Sequence, residues 1–300
     1  MDIAITGSSG LVGSALATSL RGDGHRVIPV VRSSPSAGEI GWDPVAGTID
    51  ASGLEGVDAV VHLAGEGIAT KPWSDAQRRR IHDSRSEGTS LLCGALAGLE
   101  RKPSVLVSGS AIGYYGDRGD EVVTEASSPG TDFLADVARD WEAATAAAQD
   151  AGIRTALIRT GIVLDAEEGA LGKQLLAFRA GLGAKAGRGD QWVSWITVDD
   201  EVGAIRHAID HAEVAGPVNL VAPNPVTNAE LTDAIGRALH RPTFLTIPRV
   251  AQKLPAGIGP LVTSLLFTST RVAPTVLEAT GYAFAHPELD GALADVVARR

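Results

Sequence analysis

The sequence is poor in cysteine, in aromatics and in clustered positive charge, and each shortage removes a class of protein. One cysteine, Cys93, excludes an internal disulfide framework and a cysteine-based zinc site. On its helical stretch it reads as a small buried hydrophobe. Aromatic residues make up 4% of the chain, so the core has to be aliphatic. The 26 Lys and Arg are outnumbered by 36 Asp and Glu, for a net charge of −10. Nothing more basic occurs than Arg78-Arg79-Arg80, with Asp83 close behind, so neither nucleic acid nor an anionic membrane is an expected partner. No apolar run approaches the roughly 20 residues of a membrane span. No signal peptide is visible, since Ile3-Ala4-Ile5 leads directly into a glycine loop. These absences lead us to expect a soluble, cytoplasmic protein.

What is present is 300 residues, 44% of them hydrophobic, enough for a large core. The length is about twice the roughly 150-residue domain prior. Short apolar, β-branched runs recur at Ile3–Thr6, Val27–Val31, Ala59–Leu63, Val105–Ser108 and Thr155–Arg159. They lack polar alternation, as strands covered on both faces do. Helical spacing separates them, most clearly over 75–99 and 131–151. This alternation predicts an α/β fold, a Rossmann-like doubly wound parallel sheet. Residues 40–49 predict a small hairpin after the second strand. Beyond about Leu164 the pattern weakens. Gly181–Gly189 reads as a mobile loop over the substrate side. Trp192–Val198 reads as a strand, with Asp199 or Asp200 capping the helix after it. Val218–Val221 is a further strand, followed by a helix capped by Thr227 or Asn228 and reaching about His240. We divide the chain into a dinucleotide-binding domain, 1–165 with 192–221 returning to it, and a smaller substrate lobe from 166–191 and 222–300.

The segment Thr6-Gly7-Ser8-Ser9-Gly10-Leu11-Val12-Gly13 follows the first strand and opens the first helix. Gly7, Gly10 and Gly13 permit a tight turn, close approach to a pyrophosphate and close helix packing. The helix N-terminus offers free N–H groups to the anion, so Ser9, Leu11 and Val12 count as contacts too. About 20 residues on, an acidic residue would hold the ribose 2′-hydroxyl of NAD. The second strand instead ends Val31-Arg32-Ser33-Ser34. A carboxylate would repel a 2′-phosphate, whereas Arg32 can pair with one, so NADP(H) is the expected cofactor. The third strand ends His62-Leu63-Ala64-Gly65, small enough for adenosine to cross. His62 itself reads as a packed core histidine.

With these residues in view, the chain resembles the atypical, extended short-chain dehydrogenase/reductases, and within them the "epimerase family" proteins. TGSSGLVG, HLAG and SGSAIGYYG carry the broad likeness. SRSEGT at 84–89, RTGIVL at 159–164, GRGDQWVSWITVDD at 187–200 and APNPVTNAEL at 222–231 carry the narrower one. The tail RPTFLTIP at 241–248 is similar to that family's C-terminal domain of unknown function. The resemblance implies an NADP(H)-binding domain with a small substrate lobe. It implies phosphate-loop roles for Gly7, Gly10 and Gly13, a 2′-phosphate contact at Arg32, and adenosine contacts at Leu63, Ala64 and Gly65. It also implies cofactor contacts at Arg85, Ser108, Ile162 and Val163. Homodimers built through the fourth and fifth helices are common among such proteins.

The superfamily's chemistry uses a Ser or Thr with a Tyr-x-x-x-Lys pair. The helix that should carry the pair has Leu134 and Ala138 in those places. Ser110 matches the serine, and Tyr114 and Tyr115 stand beside it. These three are therefore the expected catalytic residues. The alternative is that the tyrosines merely line a pocket. Glu66, Trp73, Gln191, Trp192 and Trp195 are weaker expectations for the substrate side. His207 and His211 have metal-ligand spacing but read as a solvated helix face, and no metal is expected. Two functions follow from these residues. One is an NADP(H)-dependent oxidoreductase or epimerase acting on a small polar, sugar-like molecule. The other is a non-catalytic NADP(H) sensor, which the missing pair favours.

Overall fold

Strands without polar alternation need cover on both faces, and the structure supplies it. The structure, a computed structural model, describes residues 1–32, 34–167 and 169–298. The chain begins β1 (Asp2–Thr6), α1 (Leu11–Gly22), β2 (Arg26–Val31), β3 (Ile40–Asp43), β4 (Thr48–Ile49), β5 (Ala59–His62), α2 (Asp75–Ala97), β6 (Val105–Ala111) and β7 (Val122–Val123). It continues with α3 (Phe133–Ala143), α4 (Ala146–Asp150), β8 (Arg154–Thr160), β9 (Ile162–Leu164), α5 (Gly169–Arg179), β10 (Ala184–Ala186), β11 (Trp192–Val193), β12 (Trp195–Thr197) and α6 (Val198–Asp210). The last stretch holds β13 (Gly216–Leu220), β14 (Val226–Thr227), α7 (Asn228–Leu239), β15 (Leu245–Ile247), α8 (Ile258–Val262), β16 (Arg271–Val272), α9 (Thr275–Ala279) and α10 (Leu289–Ala298).

One large sheet runs in the order β13-β8-β6-β5-β1-β2-β3-β4, parallel except for the β3–β4 hairpin. The expected doubly wound fold is thus present. Alternate side chains feed two cores. Ile3, Ile5, Val61 and Val107 face α1 and α6, whereas Ala4, Val60 and Leu106 face α2 and Trp42 of the hairpin. The strand order turns back between β1 and β5. Ligands of open α/β sheets bind at such a point, outside the carboxyl ends of the strands. A third core gathers α5, α7, α10 and Trp195. Among the described residues no helix is long and apolar enough to cross a membrane.

Several local expectations differ from what is seen. The helix over 131–151 is two helices, because Thr145 turns its hydroxyl back to the Glu142 carbonyl at 2.7 Å and the chain restarts at Ala146. Asp132 caps α3 through the Ala135 N–H. Thr197, not Asp199 or Asp200, caps α6, its Oγ1 accepting from the Asp200 N–H. The stretch Gly181–Gly189 is not simply a loop, for Ala184–Ala186 pairs in parallel with β15. Trp192–Val198 is two strands, β11 against β14 and β12 against β9, with Ser194 between them. From the tail, Leu277, Tyr282 and Phe284 pack onto the β1 face of the large sheet. Thr227 caps α7, with Glu230 completing a capping box.

Candidate cofactor cradle and substrate cavity

The turn after β1 is built from close contacts that only glycine permits. Gly7 has φ +69°, and a Cβ there would lie 2.9 Å from the Leu63 carbonyl carbon. A Cβ on Gly13 would stand 2.2 Å from the Gly7 oxygen, so α1 rests directly on the turn. Gly10 differs, with only the Gly7 oxygen near its Cβ position, at 3.4 Å. As N-cap of α1 it offers no side-chain cap, so the first-turn N–H groups face outward for an anion. Ser9 and Gly10 are exposed, while Leu11 and Val12 are half-buried and Val12 packs on the core.

The β5 end is clasped to this turn. Thr6 Oγ1 accepts the N–H groups of Leu63 and Ala64 at 3.1 and 3.2 Å, which leaves its own proton for His62 Nδ1 at 2.7 Å. His62 therefore carries its proton on Nε2, directed at Thr89 Oγ1 2.9 Å away. Burial, with Arg85 adding to it, pushes the His62 pKa down to about 4. It is a core histidine that sets the cradle's edge.

Arg32 is exposed beside a surface groove shared with Ser34, Asp43 and Asp50. Ser33 lies outside the described residues. Ser108 is wholly buried, and its Oγ has no hydrogen-bond partner among the described residues. Arg85 lies between cradle and cavity. Its Nη1 donates to the carbonyls of Glu66 and Ile81 at 2.9 and 3.1 Å, and its guanidinium stands 5.0 Å from the Trp141 ring. Burial lowers its pKa to about 10, against an opposing pull from Glu66, so it stays charged at neutral pH.

A cavity of about 350 Å³ opens beside the carboxyl ends of β6 and β8. Its wall includes Ser110, Leu134, Ala138, Trp141, Thr160, Ile162, Gln191 and Trp192. Ser110 donates to Glu142 Oε1 at 2.7 Å. Arg159 grips the same carboxylate through Nε to Oε1 at 2.7 Å and Nη2 to Oε2 at 2.8 Å. Arg159 is 2% exposed, and despite burial Glu142 and Tyr115 hold it more firmly protonated than usual. Thr160 donates to Glu201 Oε1 at 2.7 Å, while Oε2 of that buried carboxyl has no partner among the described residues. Burial pushes the Glu201 pKa up to about 8.

The two tyrosines are not at the cavity wall. Tyr115 is fully buried, its hydroxyl donating to Asn219 Oδ1 at 2.6 Å and accepting from Arg159 Nη1 at 3.0 Å. Burial raises its pKa further. The Tyr114 ring lies 3.5 Å from the Arg159 guanidinium. Both rings pack against Arg159, and the Tyr115 hydroxyl, one of those expected to transfer the proton, is turned into the interior. Val163 packs on the sheet core, unlike its neighbour Ile162 at the cavity. Glu66 offers its carboxylate to Gln77, and Trp73 packs on Phe133, so neither reaches the cavity. Trp195 is a core residue. His207 and His211 stack at 3.8 Å, with His207 Nε2 2.9 Å from Thr280 Oγ1. Among the described residues no group of three or more His, Cys, Asp or Glu could hold a metal ion. The charged support behind Ser110 was missed in the sequence, although it left a signal. An arginine inside an apolar strand has to find a buried partner.

Comparison with known proteins agrees with this geometry. The profile of the NAD dependent epimerase/dehydratase family matches residues 3–221, and that of a domain of unknown function, DUF1731, matches 248–296. The chain is 44% identical over 292 residues to the epimerase family protein Mb2239 of Mycobacterium bovis, covering 97% of this chain and 96% of that protein. The crystal structure of human epimerase family protein SDR39U1 (isoform 2) with NADPH superposes with a TM-score of 0.91 at 34% identity, all of both chains being covered. The nucleoside-diphosphate sugar epimerase of Corynebacterium glutamicum gives a TM-score of 0.83 at 39% identity, covering 100% of this chain and 59% of that one. The chain belongs to the NAD dependent epimerase/dehydratase family.

Proposed function

We propose that the protein is an NADP(H)-dependent oxidoreductase, or an epimerase working through the same oxidation, in which Ser110 backed by Glu142 handles the reacting oxygen. The observation that carries this reading is the Ser110 hydroxyl at the cavity wall, hydrogen-bonded to a carboxylate that Arg159 holds in position. The cradle fits a dinucleotide. Its helix N-terminus lacks a side-chain cap, and glycine stands where a Cβ would close the turn. Human SDR39U1, crystallised with NADPH, supports the choice of cofactor. NADP(H), when bound, supplies or takes up the hydride. Gly10 leaves the pyrophosphate its room, Gly7 and Gly13 let the turn and α1 close on each other, and Arg32 offers the 2′-phosphate a charge-assisted partner. Because the Ser110 proton points at Glu142, its oxygen can accept a proton from a substrate hydroxyl and pass its own to the carboxylate. Reduction runs the same path backwards. Arg159 keeps Glu142 in place throughout.

Calorimetry and turnover test this together. NADPH should bind more tightly than NADH, and Arg32→Ala should remove the difference. Ser110→Ala and Glu142→Gln should each lower turnover by about 10²–10⁴-fold. NADPH affinity should hold in both. Full activity in Ser110→Ala would sink the assignment. A second reading, an NADP(H) sensor, is favoured by Leu134 and Ala138 at the cavity wall, where the superfamily's tyrosine and lysine would stand. Tight NADPH binding with no turnover across carbonyls and alcohols would select it.

A further inference from the structure

We infer that the cavity takes a compact, largely hydrocarbon molecule bearing a single carbonyl or hydroxyl group, and not a nucleotide sugar. This rests on the oxidoreductase reading above and departs from the sugar-like substrate expected from the sequence. The wall is apolar where a sugar would need partners. Ile68, Leu134, Ala138, Trp141, Leu231 and Leu265 all line it. The loss of the tyrosine and lysine positions to Leu134 and Ala138 extends this apolar surface up to Ser110.

Most polar side chains that line the cavity, Gln174 and Ser264 apart, are already engaged by the protein itself. Gln191 Nε2 donates to the carbonyls of Ala186 and Leu266. Ser194 Oγ donates to the Thr270 carbonyl and accepts from Val272 N–H. Thr270 Oγ1 donates to the Gly116 carbonyl, and Asn228 Oδ1 accepts from Ala186 N–H. Thr160 is held by Glu201. A polyhydroxylated ring has more hydroxyls than Gln174 and Ser264 can pair, and each one buried without a partner weakens binding. A nucleotide diphosphate needs cations as well. Among the described residues the wall has one cation, Arg85, and it already faces two backbone carbonyls and the Trp141 ring. The volume of about 350 Å³ lies at the small end of the roughly 300–1,000 Å³ usual for ligand sites. Ser110 is then the one polar group needed, on the reacting oxygen, while hydrocarbon burial supplies the affinity.

The test is calorimetric titration of the full chain, saturated with NADP⁺, against unbranched 2-alkanones of four to ten carbons (a chosen probe series), and against glucose and UDP-glucose. The alkanones should bind with a negative heat-capacity change and gain about fourfold in affinity per added methylene until the cavity is full. Glucose and UDP-glucose should give no saturable binding. Leu265→Ser, at a partly exposed wall position, should weaken the longer alkanones several-fold without changing NADP⁺ affinity. Leu134→Asn is a second variant with the same expected effect. Saturable binding of UDP-glucose or glucose, or an alkanone series flat in chain length, overturns the inference. Alkanones that bind as expected but are never reduced with NADPH would leave this substrate class standing and remove the oxidoreductase reading instead.

Discussion

At the residue scale, two buried carboxyls beside the cavity behave differently because of what each meets. Glu142 meets a guanidinium and a hydroxyl, and replacing Arg159 with Met would strand it. Removing one partner of a buried pair typically costs about 3–5 kcal/mol, so Arg159→Met should lose that much in urea unfolding. Among the described residues Glu201 has one hydrogen-bond partner, the Thr160 hydroxyl. Its pKa is raised to about 8, so between the ordinary carboxylate range and pH 8 the unfolded chain gives up a proton that the folded chain keeps. Stability from this group is therefore complete at acid pH and falls as pH rises towards 8. Glu201→Gln keeps the Thr160 hydrogen bond and cannot ionise. It should be about as stable as the parent near the ordinary carboxylate range. At pH 8 it should be more stable by a few kcal/mol, since each pH step across that window costs the parent roughly 1.4 kcal/mol. Urea melts of both proteins at about pH 5, 6.5 and 8 measure this, spanning the window between the ordinary and the raised carboxyl pKa. A difference that does not vary with pH would mean that Glu201 is ionised throughout.

At the element scale, α1 and α7 show how differently a helix start can be used. The α7 start is closed, since Thr227 Oγ1 accepts from the Glu230 N–H and the Glu230 carboxylate returns to the Thr227 N–H. Thr227→Ala should cost about 1 kcal/mol in thermal or urea unfolding, and Thr227→Ser should restore it. The α1 start is open, and its backbone contacts keep it so. Gly13→Ala would normally help a helix by up to about 1 kcal/mol. Here the added methyl would meet the Gly7 carbonyl oxygen at 2.2 Å, so α1 must shift away from the turn. The variant should melt lower than the parent and lose NADPH affinity at least tenfold by calorimetry. Unchanged affinity in a folded variant would remove the cradle from this turn.

At the scale of the whole molecule, one buried carboxylate on α6 gathers a turn of the tail. Asp200, fully buried on α6, accepts from Tyr282 Oη at 3.1 Å, Ala285 N at 2.8 Å, His286 N at 2.9 Å and Thr197 Oγ1 at 3.1 Å. Burial and the nearness of Asp200 raise the Tyr282 pKa. From this clasp the chain goes on to α10, which packs on α7 beside the cavity's far wall. Asp200→Ala should cost at least about 3 kcal/mol, because several buried donors lose a charged acceptor together. It should also raise hydrogen exchange over residues 282–298 more than in β1 or β5. Uniform exchange changes would mean that the clasp does not hold the tail.

The sequence by itself determined the sheet, the glycine turn and the absence of the tyrosine–lysine pair. These are local facts: apolar runs mark doubly covered strands, a glycine triplet marks a close turn, and a missing side chain is missing wherever the helix lies. It could not show that the 131–151 helix breaks at Thr145, since a hydroxyl turning back on the chain competes with a pattern that otherwise continues. Nor could it assign Tyr114 and Tyr115. Standing next to Ser110 in sequence, they look catalytic, but Gly116 and the short turn before it send the Tyr115 hydroxyl to Asn219, 104 residues away. Only the tertiary structure brought Arg159, from the neighbouring strand, against Glu142 and so behind Ser110. A salt bridge between a strand and a helix 17 residues apart depends on which strand pairs with which, and that is settled by the folded sheet.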